Sequence, residues 1–425
     1  MLSLACCLAT GGALLLTHQP HSAVRSDASP PQAQPEADPG SGSSRSSGPD
    51  GSDGARPSAA ASLLRSLGTR LQRGTRAQVL SLGADQRARR ELAVLRHNVH
   101  ALGVSDLTMR YVDEPDGRPG SAQQELGEGV WVGAMRLRWR LRGLDAHQSQ
   151  VEVPVVLREQ GPHARFMTAR RPSTGPVPLW LLDEVSVRRT ARTLVVATSN
   201  SRAGRFSRLA DRAADDVRMV FGRWPGRLVV EVPDGSAALA RVLGSDPADY
   251  ASIAALTTTV DGSVEPDAPV HIFVNPQVFD PLGPRGSQIV MSHEATHVAT
   301  GAAFSSMPTW LLEGFADYVA LAYVDLPVSV TASQILSTVR RVGAPTRLPG
   351  DAEFAPHNRS LGAAYESAWL ACRLLRQTYG ERRLVAFYRA TDRDSSTTRS
   401  FRSVLGTDQR AFTEAWRGEL RRLAG

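Results

Sequence analysis

The chain has no lysine: all 49 basic residues among its 425 are arginines, set against 42 acidic ones. These arginines are scattered, with no basic run of the kind that marks a nucleic-acid patch. The net charge of +7 therefore reads as a solvated surface, and no nucleic-acid module accompanies it. Cysteine is almost as scarce. Cys6 and Cys7 lie near the start, and Cys372 sits alone among Trp369, Leu370, Leu374 and Leu375, as a small buried hydrophobe would. Without a C-x-x-C pair, neither a disulfide framework nor a thiolate metal site is expected. No Ser–His–Asp or Cys–His arrangement suggests a covalent nucleophile.

Long hydrophobic runs are also missing. Leu2–Thr17 is apolar and uncharged, but shorter than the ~20 residues that a membrane span needs. It suits the core of a signal peptide, with His21-Ser22-Ala23 ahead of a cleavage point, although no arginine precedes it. Leu4-Ala5-Cys6-Cys7 resembles a bacterial lipobox. Cleavage, a lipid anchor and a signal anchor all remain open for residues 1–23, and each places the body outside the cytoplasm. Residues 24–59 are rich in Ser, Pro, Gly and Asp and almost devoid of large apolar side chains, the composition of a flexible tether.

What is present is more specific. His293-Glu294-Ala295-Thr296-His297 lies within an apolar run, Ile289-Val290-Met291 to Val298-Ala299. Positions four apart share one face of a helix, so both imidazoles can aim at one point. Zinc accepts imidazole nitrogen, and such a pair supplies two of the three protein ligands of a catalytic site. Glu294, next to the first ligand, is placed to take a proton from a water activated by the metal. After fifteen intervening residues, 298 to 312, comes Trp310-Leu311-Leu312-Glu313-Gly314-Phe315-Ala316-Asp317-Tyr318, a second helical pattern. Its Glu313 is the natural third ligand. Asp317, one turn on, is placed to accept the outer N–H of a ligand histidine.

Together, H-E-x-x-H and W-L-x-E-G-x-A-x-Y resemble the gluzincin metallopeptidases, and within them the peptidase-MA-like group found in many bacterial secreted proteins. The resemblance implies Zn2+ held by His293, His297 and Glu313, with Glu294 as general base and Asp317 orienting the first histidine. The G-x-M-E-N motif of the aminopeptidase branch does not occur. The resemblance also implies a tyrosine some fifty residues past the third ligand that donates to the oxyanion, and Tyr365 stands there. Tyr318 and Tyr323 fall on the apolar side of the Glu313 helix. The resemblance further implies that the strand just before the metal helix, Val270–Pro276, forms a sheet edge to which an extended substrate adds. His271 on that strand reads as structural.

The remaining sequence divides in two, for an α+β chain. Residues 60–200 open with helical periodicity (Leu63, Leu64, Leu67, Leu71, then Leu92, Val94, Leu95). Strand patterns follow at Leu107–Val112, Val130–Leu141, Val151–Leu157 and Arg165–Ala169. Arg136-Leu137-Arg138-Trp139-Arg140-Leu141-Arg142 alternates strictly, as a strand with one wet face does. Trp180, Val185–Val187 and Leu194–Val196 add strand material. Helices followed by a curved antiparallel sheet resemble the nuclear-transport-factor (SnoaL-like) cone, here in an accessory role, with His147 and His163 solvated. Residues 201–425 form the peptidase unit, mostly helical with a small sheet. The expected activity is hydrolysis of peptide bonds in a peptide or protein substrate by a secreted or surface-anchored enzyme. Two alternatives stay open: a zinc-binding surface scaffold without peptidase activity, and an amidase acting on a cell-wall amide.

Overall fold

Two long helices, with a five-residue helix (Arg76–Leu80) between them, and an antiparallel meander come first among the described residues. The computed structural model describes residues 55–113, 127–170, 172, 175–355 and 358–425. Helix α1 (Ala55–Arg73) begins inside the stretch read as a tether; the rest of that stretch, and the export segment 1–23, lie outside the described residues. Leu63, Leu64, Leu67 and Leu71 recur at helical spacing and are all buried. Helix α2 (Gln86–Leu102) starts where the Asp85 carboxylate accepts from Ala88 N at 2.9 Å. It stops at Gly103, whose left-handed φ of 66° suits glycine.

Strands β1 (Val104–Tyr111), β2 (Val130–Leu141), β3 (Ser149–Gln160) and β4 (His163–Ala169) pair in chain order as a curled antiparallel sheet. In β2 the alternation holds: Leu137, Trp139 and Leu141 are buried, while Arg136, Arg138 and Arg140 face water to differing degrees. Trp180 does not extend a strand. It sits in a single helical turn, Leu179–Leu182, with its ring edge-on to Trp139.

The strand material at the end of the first segment belongs to a second sheet. Strands β5 (Ser186–Arg189) and β6 (Thr193–Ala197) join β7 (Leu228–Val232), β8 (Ala255–Thr259) and β9 (Val270–Val274) in the order β5-β6-β7-β9-β8. β6, β7 and β9 are parallel, with antiparallel β5 and β8 at the two edges. The expectation that Val270–Pro276 forms an edge is therefore corrected: its strand is Val270–Val274. That strand is interior, and the edge is Ala255–Thr259.

This sheet is covered on both faces. Leu194, Val196, Val229, Leu256 and Phe273 join the core of α1, α2 and the first sheet. Val195, Val230, Val232, Ile272 and Val274 join a separate helical core. That second core is built by α3 (Asn200–Phe221), α5 (Gly283–Thr300), α6 (Thr309–Leu321), α7 (Ser333–Val342), α8 (Leu361–Tyr379), α9 (Glu381–Asp394) and α10 (Gln409–Ala424); α4 (Ser236–Leu243) packs on the first. Among the described residues no helix is long and apolar enough to cross a membrane.

Candidate metal centre

Helix α5 carries the H-E-x-x-H segment, and its middle is buried all round: Ile289 to His297 are all buried. Such a helix needs neighbours on every side, and β8, β9, α3 and α6 supply them. Its last turn ends at Gly301, in the left-handed region at φ 69°, which frees the chain to turn back into α6. Every residue of α6 from Trp310 to Leu321 is buried. Gly314, directly after Glu313, faces α8 at close range: a Cβ there would lie 2.4 Å from the Ala368 carbonyl oxygen. Glycine is thus what lets α6 approach α8 beside the candidate ligand.

The structure brings the three expected ligand atoms together. His293 Nε2 and His297 Nε2 lie 2.9 Å apart, and Glu313 Oε2 is 3.2 Å from the first and 3.4 Å from the second. Tetrahedral ligands at zinc's usual bond lengths stand about 3.3 Å from one another, so the triangle has the right size. His293, His297 and Glu313 form a cluster that can hold a metal ion, and all three are buried.

The chemistry of the surroundings fits a cation. His293 Nδ1 lies 2.8 Å from Asp317 Oδ1; donating its proton there leaves a lone pair on Nε2, facing the other two ligands. Burial opposes a charged His293 ring, but Asp317 and Glu313 outweigh it and raise its pKa well above the ordinary value. Burial likewise opposes charge on Glu313, yet the two imidazoles hold its carboxyl down at about 2. The pocket thus sets a carboxylate held in its ionised form against the two imidazoles.

Glu294 is 1% exposed. Burial raises its pKa against the lowering pull of both histidines and Thr257. One carboxylate oxygen, Oε2, accepts from the Thr257 hydroxyl at 2.7 Å, whereas Oε1 has no hydrogen-bond partner among the described residues. Tyr365 is fully buried, its ring centroid 6.5 Å from that of His293 and 5.1 Å from that of Phe354. Tyr318 is tied elsewhere, donating to Glu381 Oε2 at 2.8 Å, and Tyr323 is exposed. A cavity of about 390 Å³ adjoins Glu313, with Ala302, Met307, Pro308 and Leu312 among its walls.

Other sequence expectations resolve away from this centre. His271 is buried, with Nδ1 2.7 Å from Glu231 Oε1 and Nε2 3.4 Å from Asp145 Oδ1, so its role is structural. His147 and His163 are exposed, and Cys372 is a fully buried free thiol. Sequence reasoning missed Thr257, whose strand had no recognisable pattern.

No protein-family model matches the chain, and no curated protein matches its sequence. Among solved structures, it is similar to an M1 zinc metallopeptidase from Deinococcus radiodurans, a mutant bound to a Tyr-Ser-Ala substrate. The TM-score is 0.35 at 14% identity, over 68% of this chain and 61% of that one.

Proposed function

We propose that this protein is a zinc-dependent hydrolase of peptide bonds. One observation carries the reading: two imidazole nitrogens and a buried carboxylate oxygen converge within 3.4 Å of one another, beside a second buried carboxylate with an unpartnered oxygen. His293, His297 and Glu313 would hold the metal, which when bound supplies Lewis acidity and makes water easier to deprotonate near neutral pH. Glu294 takes the proton from the attacking water and returns it to the departing amine. Asp317 keeps the His293 ring in the tautomer and orientation that present Nε2. Tyr365 donates to the oxyanion as it forms, a contribution of about 3–4 kcal/mol for one such donor. The cavity beside Glu313 takes a substrate side chain next to the reacting bond. The substrate is a peptide or protein, and residues 1–54 export the chain and tether it outside the cytoplasm.

The test is metal analysis of the purified protein together with product analysis on a peptide library. Wild-type protein should carry one zinc per chain and cleave. Glu294→Gln should keep the zinc and lose cleavage. A chain that binds no zinc, or a Glu294→Gln variant as active as wild type, would end the proposal. Cleavage of purified cell wall but of no peptide would move the activity to a non-peptide amide.

A further inference from the structure

We infer that Thr257 is a positioning residue for this hydrolysis: its hydroxyl fixes Glu294 Oε2 and so reserves Oε1 as the oxygen that takes and returns the proton. The inference rests on the peptidase reading. Thr257 is the central residue of edge strand β8, paired with Ile272 of β9. Alternation along β8 turns Thr257 toward the helices while Leu256 faces the first sheet's core, which brings the hydroxyl against α5. There it is 1% exposed, with Oγ1 2.7 Å from Glu294 Oε2 and 3.2 Å from the Glu294 backbone oxygen. Both neighbours are acceptors, so the hydroxyl must be the donor, and the shorter contact goes to the group that carries charge.

The consequence is a division of labour within one carboxylate. A glutamate on a helix has three side-chain torsions, and nothing in α5 itself fixes the last. Threonine is β-branched and stiff at χ1, so its hydroxyl direction is set by the strand. With Oε2 held, the carboxylate plane is held and Oε1 remains buried without a protein partner. During the reaction the water oxygen bonds to the carbonyl carbon while its O–H bond breaks and the proton goes to Oε1. As the C–N bond breaks, that proton moves to the amine nitrogen. Thr257 keeps its own proton throughout. Displacing a reacting group by about 1 Å is enough to cost on the order of a hundredfold in rate.

Five full-length proteins test this: wild type, Thr257→Val, Glu294→Ala, the double variant, and Thr257→Ser as the rescue. Thr257→Val should lower kcat about tenfold or more while KM stays within about twofold and zinc content is unchanged. Thr257→Ser should restore most of kcat, because it returns the donor. A readout independent of turnover comes from urea unfolding midpoints in the presence of chelator, where the two single substitutions should combine non-additively. A Thr257→Val enzyme with wild-type kcat, or midpoint shifts that simply add, would overturn the inference. If wild type itself cleaves no peptide, the peptidase reading falls, and the unfolding cycle still decides whether Thr257 holds Glu294. Should Thr257→Val not fold, Thr257→Ala serves for the same comparison.

Discussion

His293 Nδ1 and Asp317 Oδ1 meet at 2.8 Å between two helices, and that contact decides which nitrogen of the ring is left to bind a metal. Asp317→Ala should weaken zinc binding about 10–100-fold, the usual loss when the partner of a ligand imidazole is removed. Asp317→Asn should fall between the two, since its amide oxygen still accepts. Competition against a chromogenic chelator measures the effect; equal affinities would mean that packing alone holds the ring.

Two helical glycines should respond oppositely to alanine. Gly314 has the Ala368 carbonyl oxygen 2.4 Å from where a Cβ would stand, so Gly314→Ala must push α6 from α8. Overpacking of this kind costs about 1–3 kcal/mol, and here it should also loosen the metal site through the adjacent Glu313. Gly418 in α10 has nothing within 4 Å of its would-be Cβ. Gly418→Ala should be neutral or raise stability by up to about 1 kcal/mol. Thermal melts with and without zinc distinguish them.

Alkaline pH should weaken the junction between the two sheets. Burial opposes charge on His271, but Asp145 and Glu231 outweigh it and raise its pKa from 6.5 to about 9. A raised histidine pKa gives stability that is whole below 6.5 and is lost as pH climbs through 9, an effect of order 3 kcal/mol for this buried group. The urea midpoint should therefore fall between pH 6.5 and 9 in wild type, and much less in His271→Gln. Parallel curves for the two proteins would assign the pH dependence to other groups.

The cavity beside Glu313 offers a test of substrate contact. Ser306 lies on its wall and is exposed, so Ser306→Trp should fill the space without disturbing the core. KM for cleaved peptides should rise at least about threefold, in line with the loss of a small apolar pocket, while zinc content stays constant. An unchanged KM across the library would place the substrate elsewhere.

Much of the centre was legible because its signals are local. His293 and His297 are one helical turn apart, and Glu313 and Asp317 repeat that spacing on the next helix, so periodicity alone pairs them. The boundaries of β2, Val130–Leu141, followed from hydrophobic pattern in the same way. Strand order was not legible. Val270–Val274 looks like any short buried strand, and nothing in it says that Ala255–Thr259 will pair outside it. Ala-Leu-Thr-Thr-Thr carries no clear alternation, since the Thr257 hydroxyl is buried for its bond to Glu294 rather than for apolar contact. His271 and Asp145 stand 126 residues apart, a distance that no local pattern bridges.

Because β5 and β6 precede residue 200 yet extend the sheet of β7, β6 pairing with β7 and β5 with β6, the half from residue 201 onward does not own all of its sheet. A polypeptide started at residue 201 would expose the backbone of β7 along one side and leave Val229, Leu256 and Phe273 wet. Such a fragment should self-associate through that bare rim. The leading segment is thus a wall of the same interior, and exchanging or deleting it would unmake the floor beneath the histidines.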